Sequence, residues 1–211
     1  MCRALFYLVC LLLLASCKKD SDEAPVQDFV TEVCDIYINA EGIAQTATLD
    51  NGLVLDLSGQ QLRAEVADTL IRSVISYGWK GGSPYVYNNA PVYCSAPVPA
   101  EKFEERYEHP VKLISVWQKG KYVNLSFGEL TTGNGTHQYA FSLDSLRRRV
   151  LYVSFLHKRP AADAESYTQK RYASMPLRTN GAEAYDSVCL RVFTYEGMQT
   201  FTYSSAVPAS F

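Results

Sequence analysis

Histidine is the side chain in this sequence best suited to metal binding or general acid–base catalysis, and the chain has three. They are His109, His137 and His157, and none falls in an HExxH frame. A zinc site would need two of them to converge with an acid such as Asp163. The alternative is that His137 and His157 lie at strand ends and hydrogen-bond to backbone. From these spacings we predict no metal and no cofactor.

The sequence also lacks the motifs that mark catalytic nucleophiles and phosphate-binding loops. The sequence contains no GxSxG and no SxxK, and Gly81-Gly82 lacks the Lys-Ser/Thr that completes a phosphate-binding loop. Paired carboxylates for glycoside hydrolysis meet only in space, so one sequence does not exclude them. We therefore predict no catalytic residue and a non-enzymatic protein. The alternative is an envelope hydrolase with an unrecognised active site.

Cys17 follows Leu14-Ala15-Ser16, and this tetrapeptide resembles the bacterial lipobox. Before it, Arg3 precedes an apolar run over residues 4–15, which is too short to span a bilayer and is typical of a signal peptide. We predict cleavage of residues 1–16 and lipid attachment at Cys17. Two or three acyl chains, such as palmitate, would anchor the protein stably to a membrane.

The polar stretch after Cys17 predicts a tether, so residues 17–28 form the lipidated cysteine and its linker. Asp20, Asp22 and Glu23 resemble the acidic export signal of Bacteroidetes surface lipoproteins. The predicted location is therefore the outer membrane at the cell surface, with the periplasmic face as the alternative.

Three cysteines remain after processing, so at least one thiol has no partner within the chain. Cys34 lies in the first predicted strand and Cys94 at the end of the fifth. Those strands can be neighbours in a barrel, which makes Cys34–Cys94 a candidate disulfide in an oxidising compartment. The alternative is three buried thiols, Cys189 included.

Exposed aromatics are a further candidate for ligand contact. Trp79 lies in a predicted Gly-rich loop at residues 78–84, with several tyrosines after it. We predict this loop as the first candidate ligand site and the loop from His157 to Asp163 as the second, for an unknown protein or glycan. The alternative is that the tyrosines are alternating barrel residues. A net charge of −2 disfavours nucleic acid as a partner.

The elements that position these residues are strands. Residues 29–95 contain five predicted strands and an Asp50-Asn51-Gly52 hairpin signal, which fits a small OB-like five-stranded barrel. Residues 96–110 are a predicted linker that contains Pro97 and Pro99 near its start. Residues 111–211 begin with a hairpin around Lys119-Gly120, and strict alternation continues in later segments. The predicted fold class is all-β, with an antiparallel β-sandwich in this second unit. The later predicted strands cover residues 137–143, 150–156, 187–195 and 198–203, and the apolar stretch 150–156 is predicted to be the central one. Residues 129–136 are a predicted Gly/Thr/Asn loop, and residues 157–170 are a predicted polar loop.

Several stretches of the second unit resemble the NigD-like lipoproteins of Bacteroidetes. The stretches are residues 114–127, 137–143, 151–167 and 172–177. The family has a Trp before the hairpin turn, a Tyr-x-Asn-Leu after it and two strand-end histidines. The first unit is similar through Asp50-Asn51-Gly52. The resemblance implies an N-terminal OB-fold, a C-terminal β-sandwich and an envelope location, but no reaction. The predicted function is an envelope-anchored, non-enzymatic binding, accessory or immunity-type module of unknown ligand. The matching residues are Trp117, Tyr122, Asn124, Leu125, His137 and His157.

Overall fold

The first half of the chain forms one curled five-stranded sheet. The structure, a computed structural model, describes residues 29–164, 166–178 and 184–205. The strands are β1 (Val30–Ile38), β2 (Ala44–Leu49), β3 (Val54–Asp56), β4 (Thr69–Lys80) and β5 (Ser83–Pro91), in the order β3-β2-β1-β4-β5. All neighbours are antiparallel, and the sheet curls into a half-barrel. The all-β fold class, barrel followed by sandwich, is confirmed.

The concave face of this sheet encloses its own hydrophobic core. Cys34, Ile36 and Ile38 alternate along β1 into that core, as period-2 burial requires. The predicted hairpin at Asn51-Gly52 is present, with Gly52 at a φ of 89° that a residue with a side chain would adopt at a cost.

The predicted Gly-rich loop at residues 78–84 is wrong in extent. Strand β4 continues through Trp79 to Lys80, and only Gly81 and Gly82 form the turn before β5. Both glycines have positive φ, which permits a two-residue hairpin where the sequence indicated a longer loop. Trp79 is therefore a strand residue, paired with Pro84 and 62% exposed.

The second half of the chain forms two sheets packed face to face. One has the order β14-β13-β11-β10-β7 and the other the order β6-β12-β9-β8. Phe127, Phe141 and Phe155 meet at the centre of the core between them. The strands are β6 (Tyr93–Cys94), β7 (Val98–Pro99), β8 (Lys112–Lys119), β9 (Tyr122–Thr131), β10 (Gln138–Arg147), β11 (Val150–Lys158), β12 (Tyr167–Pro176), β13 (Ser187–Thr194) and β14 (Gly197–Ser204).

The sandwich is mixed, where the sequence predicted purely antiparallel strands. Strands β11 and β13 are parallel neighbours, because β12 crosses to the opposite sheet between them. The sequence placed residues 157–170 in a loop and so missed the start of β12. The predicted central strand is confirmed, since β11 is the middle strand of its sheet.

Two short strands, one just before the predicted linker and one inside it, pair with the second unit. Strand β6, before residue 96, pairs with β12 of one sheet, and β7, inside the linker, pairs with β10 of the other. Two short 3₁₀ turns, at Ser58–Gln60 and Ala100–Lys102, are the helical elements of the described chain. A small apolar cluster joins the two units: Val33, Val74 and Val92 are buried there, with Trp117 packed against them and partly buried.

A buried polar network also joins the units, and it is centred on Arg72. Its guanidinium binds Asp50 through two nitrogens at 2.7 Å each and binds Asp35 at 3.1 Å. From the second unit, the Asn124 amide oxygen and the Ser174 hydroxyl accept its remaining N–H groups. Burial disfavours the charge, but hydrogen bonding and attraction to Asp50 raise the pKa of Arg72 above its ordinary value. These five residues, here called the Arg72 network, fix the first unit on the second.

The predicted signal peptide, Cys17 and the tether lie outside the described residues. Within the described ranges, no helix has the length and apolar character needed to cross a membrane.

A histidine cluster at the open end of the sandwich

The inner face of the sandwich changes from apolar to polar towards one end. Along β9, Val123, Leu125 and Phe127 point into the hydrophobic core. The next residues on the same face are Glu129 and Thr131, both buried. Because strand side chains alternate between faces, these two polar groups continue the row of core residues. Strand β9 thus carries a carboxylate to the edge of the core.

The facing sheet makes the same change at the same end. On β11, Phe155 lies in the core and His157 follows it two residues later. On β10, Phe141 lies in the core and Tyr139 precedes it, with His137 immediately before the strand. Tyr139 pairs directly with His157 across the ladder. The two histidines and Glu129 therefore meet where the sheets separate.

A continuous chain of polar contacts runs through the two imidazoles. Asp163 Oδ2 lies 2.7 Å from Nε2 of His137, and Nδ1 of His137 lies 2.8 Å from Nε2 of His157. At the far end, Nδ1 of His157 is 3.2 Å from the backbone carbonyl of His109. This chain connects the loop after β11, the start of β10 and the segment before β8. Glu129, His137, His157 and Asp163 are here called the histidine cluster.

Two members of this chain of polar contacts, His157 and Asp163, have shifted pKa values. Burial lowers the pKa of His157 to about 4, and the adjacent His137 ring adds to that shift while the His109 carbonyl opposes it. Burial favours protonated Asp163, but donors from Thr131, Thr132 and His137 outweigh it and hold its pKa well below the usual range. At neutral pH, His157 is an uncharged imidazole and Asp163 is a carboxylate.

The side chain of Glu129 is buried, at 1% exposure, and three neighbouring side chains hold its carboxylate in place. Arg171 Nε donates to Oε1 at 2.8 Å, and the Tyr139 hydroxyl donates to Oε2. Oε2 also lies 3.3 Å from Nδ1 of His137. Burial, together with the hydrogen bond to Glu129, raises the pKa of Tyr139 far above its ordinary value, so the phenol keeps its proton. Tyr139 acts here as a donor and not as a nucleophile.

A pocket of about 620 Å³ opens beside the cluster. Glu129, His137 and Tyr139 contribute to its wall, with Arg171 and Tyr167 nearer the outside. Tyr167 is about half exposed, and Gly133 lies close to its hydroxyl. The histidine cluster is thus reachable from one side of the sandwich end.

The structure brings together some of the residues singled out in the sequence and separates others. His157 and Asp163, the second candidate site, lie in the cluster and are buried. Trp79, the first candidate, belongs to the curled sheet and is not among the residues that line the pocket. His137 was interpreted as a strand-end residue that bonds to backbone, whereas its ring bonds to two side chains.

Glu129 was missed because its segment was interpreted as a Gly/Thr/Asn loop, whereas β9 extends to Thr131. The sequence pattern could have placed Glu129 on the strand, because it continues the alternation of Val123, Leu125 and Phe127.

The candidate disulfide is not seen, because Cys34, Cys94 and Cys189 are all free thiols. Cys34 faces the core of the curled sheet, whereas Cys94 lies on β6 beside the sandwich. Burial raises the pKa of the Cys34 thiol to about 12, with Arg72 opposing the shift, so this thiol is unreactive at neutral pH.

Three solved structures with a similar fold come from species of Bacteroidetes. A NigD-like immunity protein from Bacteroides caccae aligns with a TM-score of 0.67 and 18% identity, over 85% of this chain and 97% of its own. A proposed toxin-related protein from Parabacteroides distasonis aligns at 0.60 and 16%, over 84% and 94%. A proposed lipoprotein from Bacteroides fragilis aligns at 0.58 and 9%, over 86% and 99%.

At these identities the likeness shows a shared fold, so the resemblance to NigD-like proteins is confirmed at that level. No family model and no curated protein sequence matches the chain.

Proposed function

We propose that the protein is an envelope-anchored accessory or immunity-type lipoprotein that binds a ligand and catalyses no reaction. The observation that carries the proposal is the extent of the structural likeness. The alignment with the NigD-like immunity protein covers 97% of that protein, so both units and their connection are shared and not one common domain. Fold alone does not determine function. The N-terminal sequence signals add a predicted location in the cell.

The anchor half of the proposal comes from the N-terminal sequence. The lipobox-like Leu14-Ala15-Ser16-Cys17 and the acidic tether indicate an outer-membrane lipoprotein, displayed at the cell surface. A structural neighbour described as a proposed lipoprotein supports attachment to the envelope, and the outer-membrane and surface placement rests on the sequence signals. Incorporation of an alkyne-labelled palmitate should be complete in the wild-type chain and absent after Cys17→Ser. Equal labelling of both chains would reject the anchor.

The non-enzymatic half is supported by how the cluster is bonded. Asp163 is held by two threonine hydroxyls and a backbone N–H, and Glu129 is held by Arg171 and Tyr139. A general base or nucleophile must have a lone pair directed at substrate, and these oxygens are directed at protein donors. The hydrogen bonds therefore favour binding over turnover.

The converging histidines favour a second candidate, an envelope hydrolase. Two imidazoles and a buried carboxylate beside a pocket are groups that acid–base catalysis uses. The test is a screen of the mature chain, with Cys17→Ser, against envelope glycans, peptides and generic esterase, protease and glycosidase substrates. Binding of one class without turnover supports the binding module. Turnover that disappears in His137→Gln or Glu129→Gln, but persists in His109→Gln, would establish the hydrolase instead.

A further inference from the structure

Three donor atoms of the histidine cluster point at one small volume. They are Nδ1 of His137, Nε2 of His157 and a carboxylate oxygen of Glu129, and all lie within 4.8 Å of one another. Two imidazoles with one carboxylate are ligands that zinc and other divalent first-row metals accept. The three residues come from three different strands or strand ends, so the fold itself assembles the set.

The hydrogen-bond directions require a positive charge at that point. The His109 carbonyl can only accept, so Nδ1 of His157 carries its hydrogen and the lone pair on Nε2 faces His137. The Asp163 carboxylate likewise takes the hydrogen on Nε2 of His137. The two remaining nitrogens face each other at 2.8 Å. Two lone pairs at that distance repel, so either a proton or a metal ion must lie between them.

Each donor is also supported from behind, as metal ligands are. His137 donates its other ring N–H to the Asp163 carboxylate, and His157 donates its own to the His109 carbonyl. Arg171 holds Oε1 of Glu129, and the Tyr139 hydroxyl donates to Oε2, which keeps a second lone pair. Metal-binding histidines almost always have a carboxylate or backbone carbonyl on the opposite nitrogen, which fixes the tautomer and the ring direction.

The pocket supplies the remaining coordination positions. Glu129 and His137 lie in its wall, so a bound ion would meet the pocket on one side and protein on the other. Three protein ligands with an open position is the arrangement of an accessible zinc site and not of a closed structural one. Water or a donor atom of a ligand could complete the shell from the pocket.

We propose that Glu129, His137 and His157 bind one divalent transition-metal ion, which replaces the proton between the two imidazoles. Nitrogen ligands at about 2.0–2.1 Å in tetrahedral geometry lie about 3.3 Å apart, so the rings must separate by roughly half an ångström. The site is independent of whether the protein catalyses a reaction, because an ion held here could equally bind a carboxylate or phosphate of a partner molecule.

The test uses the mature chain with Cys17→Ser and no polyhistidine tag. After chelator treatment, the protein is titrated with ZnCl₂ against a chromophoric competitor, and metal is measured after gel filtration. We expect one zinc per chain. His137→Gln and His157→Gln should retain none, and Glu129→Gln should bind at least about tenfold more weakly. His109→Gln is the matched control and should bind zinc as the wild type does. The contact of His109 with His157 is made by the backbone carbonyl, which the substitution keeps.

A second measurement needs no variant, since the chain has three histidines in all. Long-range ¹H–¹⁵N spectra of the wild-type imidazoles with and without ZnCl₂ should shift Nδ1 of His137 and Nε2 of His157, leaving the His109 ring unchanged. Because these spectra use the wild-type protein, they test zinc binding by His137 and His157 even where a histidine variant fails to fold. Absence of zinc retention, unchanged spectra, or zinc that remains bound in His137→Gln and His157→Gln would each overturn the proposal.

Discussion

The Arg72 network and the histidine cluster are both buried and charged, but they differ in what lies beside them. In the Arg72 network, two aspartates surround one guanidinium whose side chain is 2% exposed, and the Tyr122 ring covers it at 3.7 Å. In the histidine cluster, the side chain of His137 is 4% exposed, yet it lies in the wall of a pocket of about 620 Å³. Protein groups enclose the guanidinium of the first, whereas the second borders a cavity on one side.

This difference separates a structural role from a functional one. The lone pairs of Asp50 and Asp35 are directed at Arg72, which supplies the compensating charge in place. In the histidine cluster, two imidazole nitrogens and a carboxylate oxygen lie within 4.8 Å of one another, and the pocket opens beside them. Burial and charge alone therefore do not identify a site. The direction of the lone pairs and the adjoining cavity do.

The largest effect should follow from breaking the Arg72 network. Arg72→Met leaves the buried Asp50 without its cation and Asp35 with only the exposed Lys121, and we expect a loss of about 3–5 kcal/mol in the free energy of unfolding. Guanidinium unfolding followed by circular dichroism measures it. Lys121→Ala is the matched control, because Lys121 also pairs with Asp35 but is 58% exposed. It should cost at most about 1 kcal/mol. Similar losses for both variants would contradict the structural role of burial here.

Trp117→Ala should have the next largest effect, at the apolar side of the same junction. Its ring packs against Val33, Val74 and Val92 but is only partly buried, so we expect about 2–3 kcal/mol, below the usual cost for a core tryptophan. Because the cluster joins two units, the thermal transition should also broaden in calorimetry. A loss without broadening would mean that the ring stabilises the second unit alone.

A smaller effect is expected in the histidine cluster. Thr131→Val keeps the shape of the buried side chain but removes the hydroxyl that donates to Asp163 at 2.6 Å. Asp163 retains its other donors, so we expect about 1–2 kcal/mol in the free energy of unfolding. The same denaturant series used for Arg72→Met provides the comparison. A cost as large as that of Arg72→Met would show that this cluster too is chiefly structural.

The smallest effect is expected at Trp79. Its ring is 62% exposed at the end of β4, so Trp79→Ala should change the free energy of unfolding by no more than about 0.5 kcal/mol. Thermal melts measure this directly. If Trp79 nevertheless contacts a ligand, the ligand screen should show weaker binding by this variant. A stability loss comparable to that of Trp117→Ala would contradict its exposed position.

The strands that carry strong local signals were predictable from the sequence. Asn51-Gly52 marks a hairpin, Lys119-Gly120 marks another, and the apolar run of β11 indicates a central strand; all three are present. In each, the backbone preference of the turn or the burial pattern lies within a few residues. Local signals therefore determined the fold class.

The histidine cluster was only half predictable, because its members meet through long-range pairing. His157 and Asp163 were candidates, but Glu129 is 28 residues from His157 in sequence and reaches it only through the packing of two sheets. The start of strand β12 was missed because its first residues, from Tyr167 to Arg171, are mostly polar. They continue the polar end of the sandwich on its inner face. Alternation reports which residues share a face, but it does not report which faces meet.

The position of β1 determines how the protein carries mechanical load. The chain enters the fold at Val30, directly after the segment predicted to tether it to a membrane, and β1 lies between β2 and β4 in the curled sheet. A pull along β1 is therefore a shear that acts on two hydrogen-bonded ladders together. The same pull on an edge strand would act on one ladder. Drag on a molecule held by the second unit would thus pass through the Arg72 network and be resisted at β1 by both ladders.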